Sequence, residues 1–203
     1  MQLIRSVCVY CGSSPGNDPR YLAAAEEFGK SLAENGIQLV YGGGGLGLMG
    51  AIAQSARAHG GRVVGIIPEF LIKREHMLED VTQQIVTPDM HTRKQLMFDH
   101  SDAFVAFPGG VGTLEELVEQ LTWAQLGRHT KPILIADLHG YWQPLLQMLA
   151  HMERHAFIRR QLSVPYVTAD RVSDIIPALE QCADRARAQP ETATAAAGPI
   201  SHM

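Results

Sequence analysis

Cysteine is scarce in this chain of 203 residues, which contains only three. An odd number this small does not build a disulfide framework. Cys8 and Cys11 form a C-x-x-C pair, but they fall in a predicted strand, where a spacing of three directs side chains to opposite faces. There is no second pair to complete a metal site. We therefore expect two buried thiols.

Excess positive charge and long apolar runs are also missing. The net charge is -4 at pH 7, which gives no basic footprint for a general nucleic-acid binder. No apolar run reaches the length of a membrane span, and the first residues, MQLIRSVCVYCG, lack the pattern of a signal peptide. We expect a cytoplasmic protein that binds neither nucleic acid nor membrane.

Several signatures of catalysis are absent as well. The nine histidines include no H-E-x-x-H pair and no matching carboxylate cluster, so no metal site is predicted. No serine lies in a G-x-S-x-G elbow, and no glycine-rich loop runs into Lys-Ser or Lys-Thr. These absences argue against a serine hydrolase and against a P-loop ATPase.

What is present is an alternation of seven short, mostly β-branched runs with six amphipathic segments of helix length. This order predicts an α/β protein: a Rossmann-like, doubly wound, mostly parallel sheet with helices on both faces. We expect a single domain over residues 1–188. The remaining residues, 189–203, have the sequence QPETATAAAGPISHM. This segment cannot bury enough apolar surface to offset its ordering entropy, so we expect a disordered tail.

Glycine-rich stretches follow three of the predicted strands: CGSSPG the first, GGGGLGLMG the second and PGGVGT the fifth. Because ligands in such folds bind beyond the carboxyl ends of the strands, we expect one shared site. Gly45, Gly47 and Gly50 match the dinucleotide pattern G-x-G-x-x-G, with Glu69 at the distance of its acidic residue. A tight strand-to-helix turn and a nucleotide-binding loop explain this match equally well.

The stretch PGGVGTLEE, residues 108–116, also has two interpretations. Thr113 and Glu116 fit a capping box, in which both side chains satisfy free amides at a helix start. The preceding glycines fit an anion cradle, in which backbone amides and the helix dipole hold a phosphate. The sequence leaves both interpretations open.

The helix that follows this stretch has a predicted stripe of residues facing the sheet. Glu116 and Trp123 lie nearly opposite that stripe. Trp123 is then either partly exposed or in contact with a second surface, such as another copy of the chain. The stripe consists of Leu114, Leu117, Val118, Leu121 and Gln125.

Two cations share one face of another predicted helix. Arg93 and Lys94 lie there with Met90 and Met97 at helical spacing. If that face is covered, the cations need anionic partners, because burying an unpaired charge is unfavourable. A phosphate at PGGVGT or the carboxylate of Glu116 would supply one. A solvated face is the alternative.

Three segments together resemble the Lonely guy (LOG) family of cytokinin riboside 5′-monophosphate phosphoribohydrolases. They are YGGGGLGLMG, the MHTRK segment, and PGGVGTLEE followed by LTWAQLG. The resemblance implies hydrolysis of the N-glycosidic bond of AMP or an N6-substituted AMP, with release of free base and ribose 5-phosphate. It implies a homodimer and needs no metal or other cofactor. The sequence does not tell which N6 group is preferred.

The resemblance also implies site residues. Arg93 and Glu116 would be the catalytic pair. Glycoside cleavage passes through an oxocarbenium-like transition state. We expect the Glu116 carboxylate to stabilise that cation or orient water, and Arg93 to act by charge and hydrogen bonding. The implied nucleotide-binding residues are Glu75, Arg93, Lys94, Gly110, Val111, Gly112, Thr113, Leu114, Glu115, Glu116 and Thr122.

Three other functions are alternatives to this hydrolysis. A nucleotide-binding sensor or carrier would use the same glycine loops without turnover. A NAD-dependent oxidoreductase would need a hydride-transfer site, which nothing in the sequence resembles. The family's older label, lysine decarboxylase, would need a pyridoxal-phosphate lysine. None of the four lysines, at 30, 73, 94 and 131, lies in such a setting.

Overall fold

A computed structural model describes residues 4–158 and 164–188. In this part of the chain, seven strands form one all-parallel sheet in the order β4-β3-β2-β1-β5-β6-β7. The tail predicted over 189–203 lies outside the described residues. The strands are β1 (Ser6–Tyr10), β2 (Gln38–Tyr41), β3 (Val63–Pro68), β4 (Gln83–Thr87), β5 (Ala103–Ala106), β6 (Ile133–Ala136) and β7 (Val167–Ala169).

Helices cover both faces of the sheet, which confirms the predicted doubly wound α/β fold. One face packs against the first, second and sixth helices, and the other against the third, fourth and fifth. None of the helices in the described ranges is both long and apolar enough to cross a membrane. The helices are α1 (Pro19–Glu34), α2 (Gly47–Ala58), α3 (Met90–Asp99), α4 (Val111–Gln125), α5 (Gln143–Arg154) and α6 (Ile175–Ala188).

Side chains of β1 alternate between the two apolar clusters, as the period of a strand requires. Cys8 lies in the cluster under α3 to α5, whereas Cys11 lies in the cluster under α1 and α2. Both thiols are buried and free. The expectation of two separate buried thiols is therefore confirmed.

The winding of the sheet reverses next to β1. The chain builds β2, β3 and β4 on one side of β1 and then returns to place β5 on the other side. The loops after β1 and β5 consequently meet, and the Gly12 amide donates to the Pro108 carbonyl oxygen over 3.0 Å. Such a reversal opens a crevice beyond the carboxyl ends of the strands, where ligands bind in this class of fold.

A long connection, residues 69–82, runs between β3 and β4 and begins with a 3-10 turn over Glu69–Leu71. It folds back over the end of β2. The Gly45 amide donates to the Glu75 and His76 carbonyl oxygens at 3.0 and 2.8 Å, and Met77 forms an antiparallel bridge with Gly44. These contacts fix the connection beside the crevice.

Helices α1 and α2 pack closely because α1 contains Gly29. A Cβ at this position would overlap the Ile52 carbonyl oxygen of α2 and would lie 3.0 Å from the Ala56 amide nitrogen. In an open helix, alanine is more stable than glycine by about 1 kcal/mol. Here the close approach reverses that preference.

We predict that Gly29→Ala lowers the free energy of unfolding by about 1 to 3 kcal/mol, because the helices must separate. Urea denaturation measures the change. Lys30→Ala, on the exposed side of α1, is the matched control and should leave stability nearly unchanged. A more stable Gly29→Ala protein would contradict the packing role.

Candidate active site

A cleft of about 350 Å³ opens at the carboxyl edge of the sheet, beside the reversal at β1. Five parts of the chain form its walls: the loop after β1, the start of α2, the connection 69–82, the first turn of α3 and the first turns of α4. Glycine-rich loops thus meet charged side chains from two helices. The glycine-rich loops after β1 and β5 border the cleft, whereas the stretch after β2 reaches it only through Met49.

A buried ion pair forms the charged part of this cleft. Arg93 comes from α3 and Glu116 from α4, and Arg93 Nη1 lies 3.5 Å from Glu116 Oε1. Their side chains are only 7% and 10% exposed. Both ions are therefore largely removed from water, where each needs the other as a partner.

Backbone carbonyls hold the guanidinium in place. Arg93 Nε donates to the Ile66 carbonyl oxygen at the end of β3 over 3.1 Å, and Nη2 donates to the Gly42 carbonyl oxygen over 3.4 Å. A Cβ at position 42 would overlap Nη2. Glycine at this position is therefore required for the guanidinium to reach Glu116.

Burial raises the pKa of Glu116 from its ordinary value of 4.5 to about 7. The positive charge of Arg93 opposes this rise, while the carboxylates of Glu115 and Glu75 add to it. Desolvation outweighs the attraction of the arginine. Glu116 therefore changes its protonation state near neutral pH, as a group that exchanges protons during a reaction must.

Helix α4 begins earlier than the capping box requires. Its N-cap is Gly110, which offers no side chain, and its first helical residue is Val111. Thr113 is therefore inside the helix, and the predicted Thr113–Glu116 capping box is wrong. Thr113 is instead buried against Gly109, where a Cβ would overlap its hydroxyl oxygen.

The orientation predicted for α4 also needs correction. Glu116 lies on the buried face rather than opposite it, together with Leu117 and Leu121, while Val118 is 43% exposed. The apolar pattern misses this because it treats a glutamate as a solvent-facing residue. Arg93 supplies the partner that makes burial of the carboxylate tolerable.

Trp123 is partly buried within its own chain. Its ring meets Phe98 edge to face at 5.4 Å, and the Arg128 guanidinium lies 3.8 Å from its ring centre. The tryptophan therefore does not need a second chain to cover it.

The start of α4 is suited to binding an anion. The first amides of a helix have no partner within the helix, and here Gly110 adds no cap. Gly110, Val111, Gly112 and Thr113 line the cleft at this helix start. By contrast, Asp89 caps the start of α3 through the Thr92 amide. A phosphate at the start of α4 would meet both free amides and the positive end of the helix dipole.

The G-x-G-x-x-G match is a packing motif. A Cβ at Gly50 would overlap the Gly45 carbonyl oxygen, and one at Gly47 would overlap the backbone of Ser13. Two amides in the first turn of the helix, at Leu48 and Met49, donate to the Gly12 carbonyl oxygen at 3.1 and 3.3 Å. The tight-turn interpretation is therefore supported, because protein rather than ligand takes these amides.

Glu69, the acidic residue that this fingerprint would use, also fails to reach the cleft. It is exposed and lies in the 3-10 turn at the start of the connection 69–82. It is not among the residues that form the cleft walls.

Most of the predicted site residues do line the cleft. Glu75 reaches it from the connection 69–82, and its Oε2 is buried without a hydrogen-bond partner in the described part of the chain. Burial raises the pKa of this carboxyl too, against the charges of Arg93 and Arg74. The others that line it are Arg93, Gly110, Val111, Gly112, Thr113, Glu115 and Glu116.

Three predicted residues lie outside the walls of the cleft. Lys94 Nζ pairs with Glu115 at 2.5 Å and with Glu119 at 3.0 Å. Thr122 is exposed, and its hydroxyl donates to the Val118 carbonyl oxygen over 2.7 Å. Leu114 is partly buried against the apolar cluster under α3 to α5.

Several cleft residues have no counterpart in the sequence-based prediction. Ser13 and Cys11 follow β1, so the glycine-rich loop after that strand already pointed to their neighbourhood. Met49 and Met90 lie at helix starts. No pattern in the sequence indicates Leu71, because the connection 69–82 has neither helical nor strand periodicity. In the ranges 4–158 and 164–188, no group of three or more His, Cys, Asp or Glu side chains could hold a metal ion.

The raised pKa of Glu116 predicts a dependence of stability on pH. The folded state keeps the proton up to about pH 7, whereas the unfolded carboxyl loses it near 4.5. Unfolding therefore becomes easier as the pH rises through this window, and the effect is constant above it. Glutamine at position 116 cannot ionise and does not show this loss.

We predict that the stability of Glu116→Gln relative to the unchanged protein is about 2 kcal/mol greater at about pH 8 than at about pH 5. Thermal unfolding at both pH values measures it as a difference of several degrees in Tm. Glu119→Gln, on the same helix but outside the cleft, is the control. If the two variants respond equally to pH, Glu116 does not have the proposed protonation behaviour.

Comparison with known proteins identifies the family of this chain. The family model described as "Possible lysine decarboxylase" matches residues 49–179. Cytokinin riboside 5′-monophosphate phosphoribohydrolase LOG3 of Arabidopsis thaliana is 44% identical over 179 residues, covering 88% of this chain and 83% of that protein. LOG1 of the same plant, which carries the same enzyme name, is 44% identical over 181 residues, covering 89% and 85%.

A solved structure supports the fold. The molybdenum cofactor carrier protein MCP from Chlamydomonas reinhardtii superimposes with a TM-score of 0.66, at 24% identity, over 87% of this chain and 96% of that one. At this identity the likeness concerns the fold alone. The relatives above establish the family: this chain belongs to the LOG family of cytokinin riboside 5′-monophosphate phosphoribohydrolases.

Proposed function

We propose that this protein hydrolyses the N-glycosidic bond of adenosine 5′-monophosphates, either AMP or its N6-substituted forms such as cytokinin riboside 5′-monophosphates. The products are the free base and ribose 5-phosphate. The observation that carries the proposal is the buried Arg93–Glu116 pair next to the uncapped start of α4. The names of the relatives support the same reaction.

The 5′-phosphate would bind at the start of α4. Gly110 to Thr113 line the cleft there, their amides would donate to the phosphate, and the helix dipole favours a dianion. This end of the substrate takes no part in bond breaking. Its binding energy instead fixes the position of the ribose relative to the reacting groups.

The ribose would then lie against Glu116. This residue follows Thr113 by three positions, which is about 4.5 Å along the axis of a helix. At that position the carboxylate can stabilise the positive charge that develops on the ribose ring, and it can accept the proton of an attacking water. A carboxyl group with a pKa of about 7 accepts and returns such a proton readily.

Arg93 acts on the reaction mainly through Glu116. Its guanidinium stays protonated, so it cannot supply a proton. Its donors already contact the carbonyl oxygens of Ile66 and Gly42 and the carboxylate of Glu116. It therefore orients the carboxylate and favours its charged form.

Decarboxylation of lysine does not suit this cleft. That reaction uses a lysine side chain to hold pyridoxal phosphate. No lysine is among the residues of the cleft walls. Two lysines with contacts to α3 residues or on α3 itself are engaged elsewhere: Lys94 pairs with Glu115 and Glu119, and Lys131 donates to the Phe98 carbonyl oxygen.

We predict that the protein releases adenine from AMP and that Glu116→Gln lowers kcat at least about 100-fold, because glutamine cannot accept a proton. Chromatography of the free base from AMP and N6-isopentenyl-AMP measures the reaction. Glu119→Gln should keep its activity. Full turnover by a folded Glu116→Gln protein would refute the catalytic role. Binding of nucleotide without release of base would instead favour a sensor or carrier.

We propose that the active form is a homodimer joined through the outward face of α4. Val118 and Leu126 are 43% and 75% exposed on this face, and Thr122 lies between them at helical spacing. The nucleotide-binding role that the family resemblance implies for Thr122 cannot be met within its own cleft. A second copy against this face would bring the residue to a substrate.

Leu126→Asp should therefore convert a dimer into monomers, because it places a charge in an apolar contact. Size-exclusion chromatography with light scattering measures the mass. Val86→Asp, which changes an exposed residue of the edge strand β4, is the control and should leave the mass unchanged. A monomeric unchanged protein with full activity would contradict the dimer.

We also propose a single domain over residues 1–188 and a cytoplasmic location. The described strands all belong to one sheet, which supports a single domain over residues 1–188. The cysteines at 8, 11 and 182 are free thiols, which suits the reducing cytoplasm.

A further inference from the structure

We propose that Glu75 is the acid that protonates the leaving base. This inference rests on the proposed hydrolysis of nucleoside 5′-monophosphates and assigns the proton donor that the reaction needs. Glu75 approaches the cleft from the connection 69–82, whereas Glu116 approaches it from α4. The two carboxyl groups therefore reach one cleft from different elements of the fold.

A purine leaves a ribose as a poor anion unless one of its ring nitrogens gains a proton. Glycoside hydrolysis accordingly uses two carboxyl groups, one as the acid for the leaving group and one for the water or the cation. Glu116 performs the second task in the proposed reaction. Arg93 cannot be the acid, because it remains charged.

The contacts of the other acidic side chains leave Glu75 as the donor. Among the described residues of the cleft walls, the carboxyl groups are those of Glu75, Glu115 and Glu116. Glu115 pairs with Lys94 and Glu116 with Arg93. Glu75 Oε2 is buried and has no hydrogen-bond partner in the described ranges, so it is the oxygen available to a ligand.

The backbone around Glu75 is held firmly enough to aim its side chain. Its carbonyl oxygen accepts from the Gly45 amide over 3.0 Å, and the next residues bridge to Gly44 through Met77. A Cβ at Gly44 would lie only 3.3 Å from Glu75 Cβ and Oε2. The carboxyl group therefore packs directly on the end of β2.

Burial favours a proton on Glu75, whereas the positive charges of Arg93 from α3 and Arg74 from its own connection oppose it. Glu116 from α4 is the carboxyl group that interacts with Glu75 across the cleft. The two carboxyl groups repel each other when both are ionised, so they titrate as a pair. Arg93 contacts Glu116 directly, which favours the charge there. In the reactive form, the pair holds one proton, which is on Glu75, and Glu116 is ionised.

The step balances without any further reactant. As the bond between C1′ and N9 breaks, its electron pair goes to the purine and the Glu75 proton goes to a purine ring nitrogen. Water oxygen bonds to C1′ and its proton goes to Glu116. Neutral base and ribose 5-phosphate leave, with Glu75 ionised and Glu116 protonated. Exchange with solvent restores the starting form.

The test compares Glu75→Gln with the unchanged protein. Glutamine keeps the size and hydrogen-bonding capacity of the side chain but cannot donate a proton as an acid. We expect kcat for AMP to fall by about 100- to 10,000-fold while the Kd for AMP changes only a few-fold. We also expect the fall in kcat at alkaline pH to disappear from the residual activity. Glu79→Gln, exposed in the same connection, should leave both constants unchanged.

A second substrate separates acid catalysis from a structural role. The phenolate of 4-nitrophenyl ribofuranoside 5-phosphate leaves without protonation, so Glu75→Gln should hydrolyse it nearly as fast as the unchanged protein does. Equal losses on both substrates, a Kd for AMP that rises with the loss of kcat, or an unchanged kcat for AMP would each overturn the assignment. If the unchanged protein cleaves neither substrate, the proposed hydrolysis itself fails.

Discussion

The buried contact between Arg93 and Glu116 is the interaction on which the site depends. It joins α3 to α4 across the cleft and connects both helices to the ends of β2 and β3 through backbone carbonyls. Neither charge would be tolerated at this depth without the other. Burial raises the pKa of Glu116 to about 7, and the contact with Arg93 limits this rise. The same ion pair therefore serves both the packing of the site and its chemistry.

Glycines around the cleft include two groups with different physical tasks. Those at 42, 45, 47 and 50 allow close packing, because a side chain there would overlap a neighbouring group. Gly110 and Gly112 have open space around them, and they border the cleft. Composition alone cannot separate these groups. The hydrogen bonds do, since protein acceptors take the first amides of α2 while the start of α4 carries no cap.

Much of the fold follows from local pattern. Alternating strands and helices predict the parallel sheet, and the loops after β1 and β5 must meet wherever the winding reverses. The position of Glu116 does not follow, because its burial depends on Arg93, a residue from another helix. Glu75 is a similar case. The connection 69–82 has no periodicity, and it is fixed by contacts with Gly44 and Gly45 that no local pattern reveals.

Position 42 illustrates how a residue without a side chain can limit function. Gly42 contacts Arg93 and has no functional group of its own to offer a nucleotide. In a complete mutational scan it would nevertheless behave as an active-site position, since any substituent displaces the guanidinium. Engineering that treats only the cleft walls as fixed would therefore lose activity by changes made behind them. Residues that contact the cleft-lining side chains from behind, such as Gly42, must therefore also be kept.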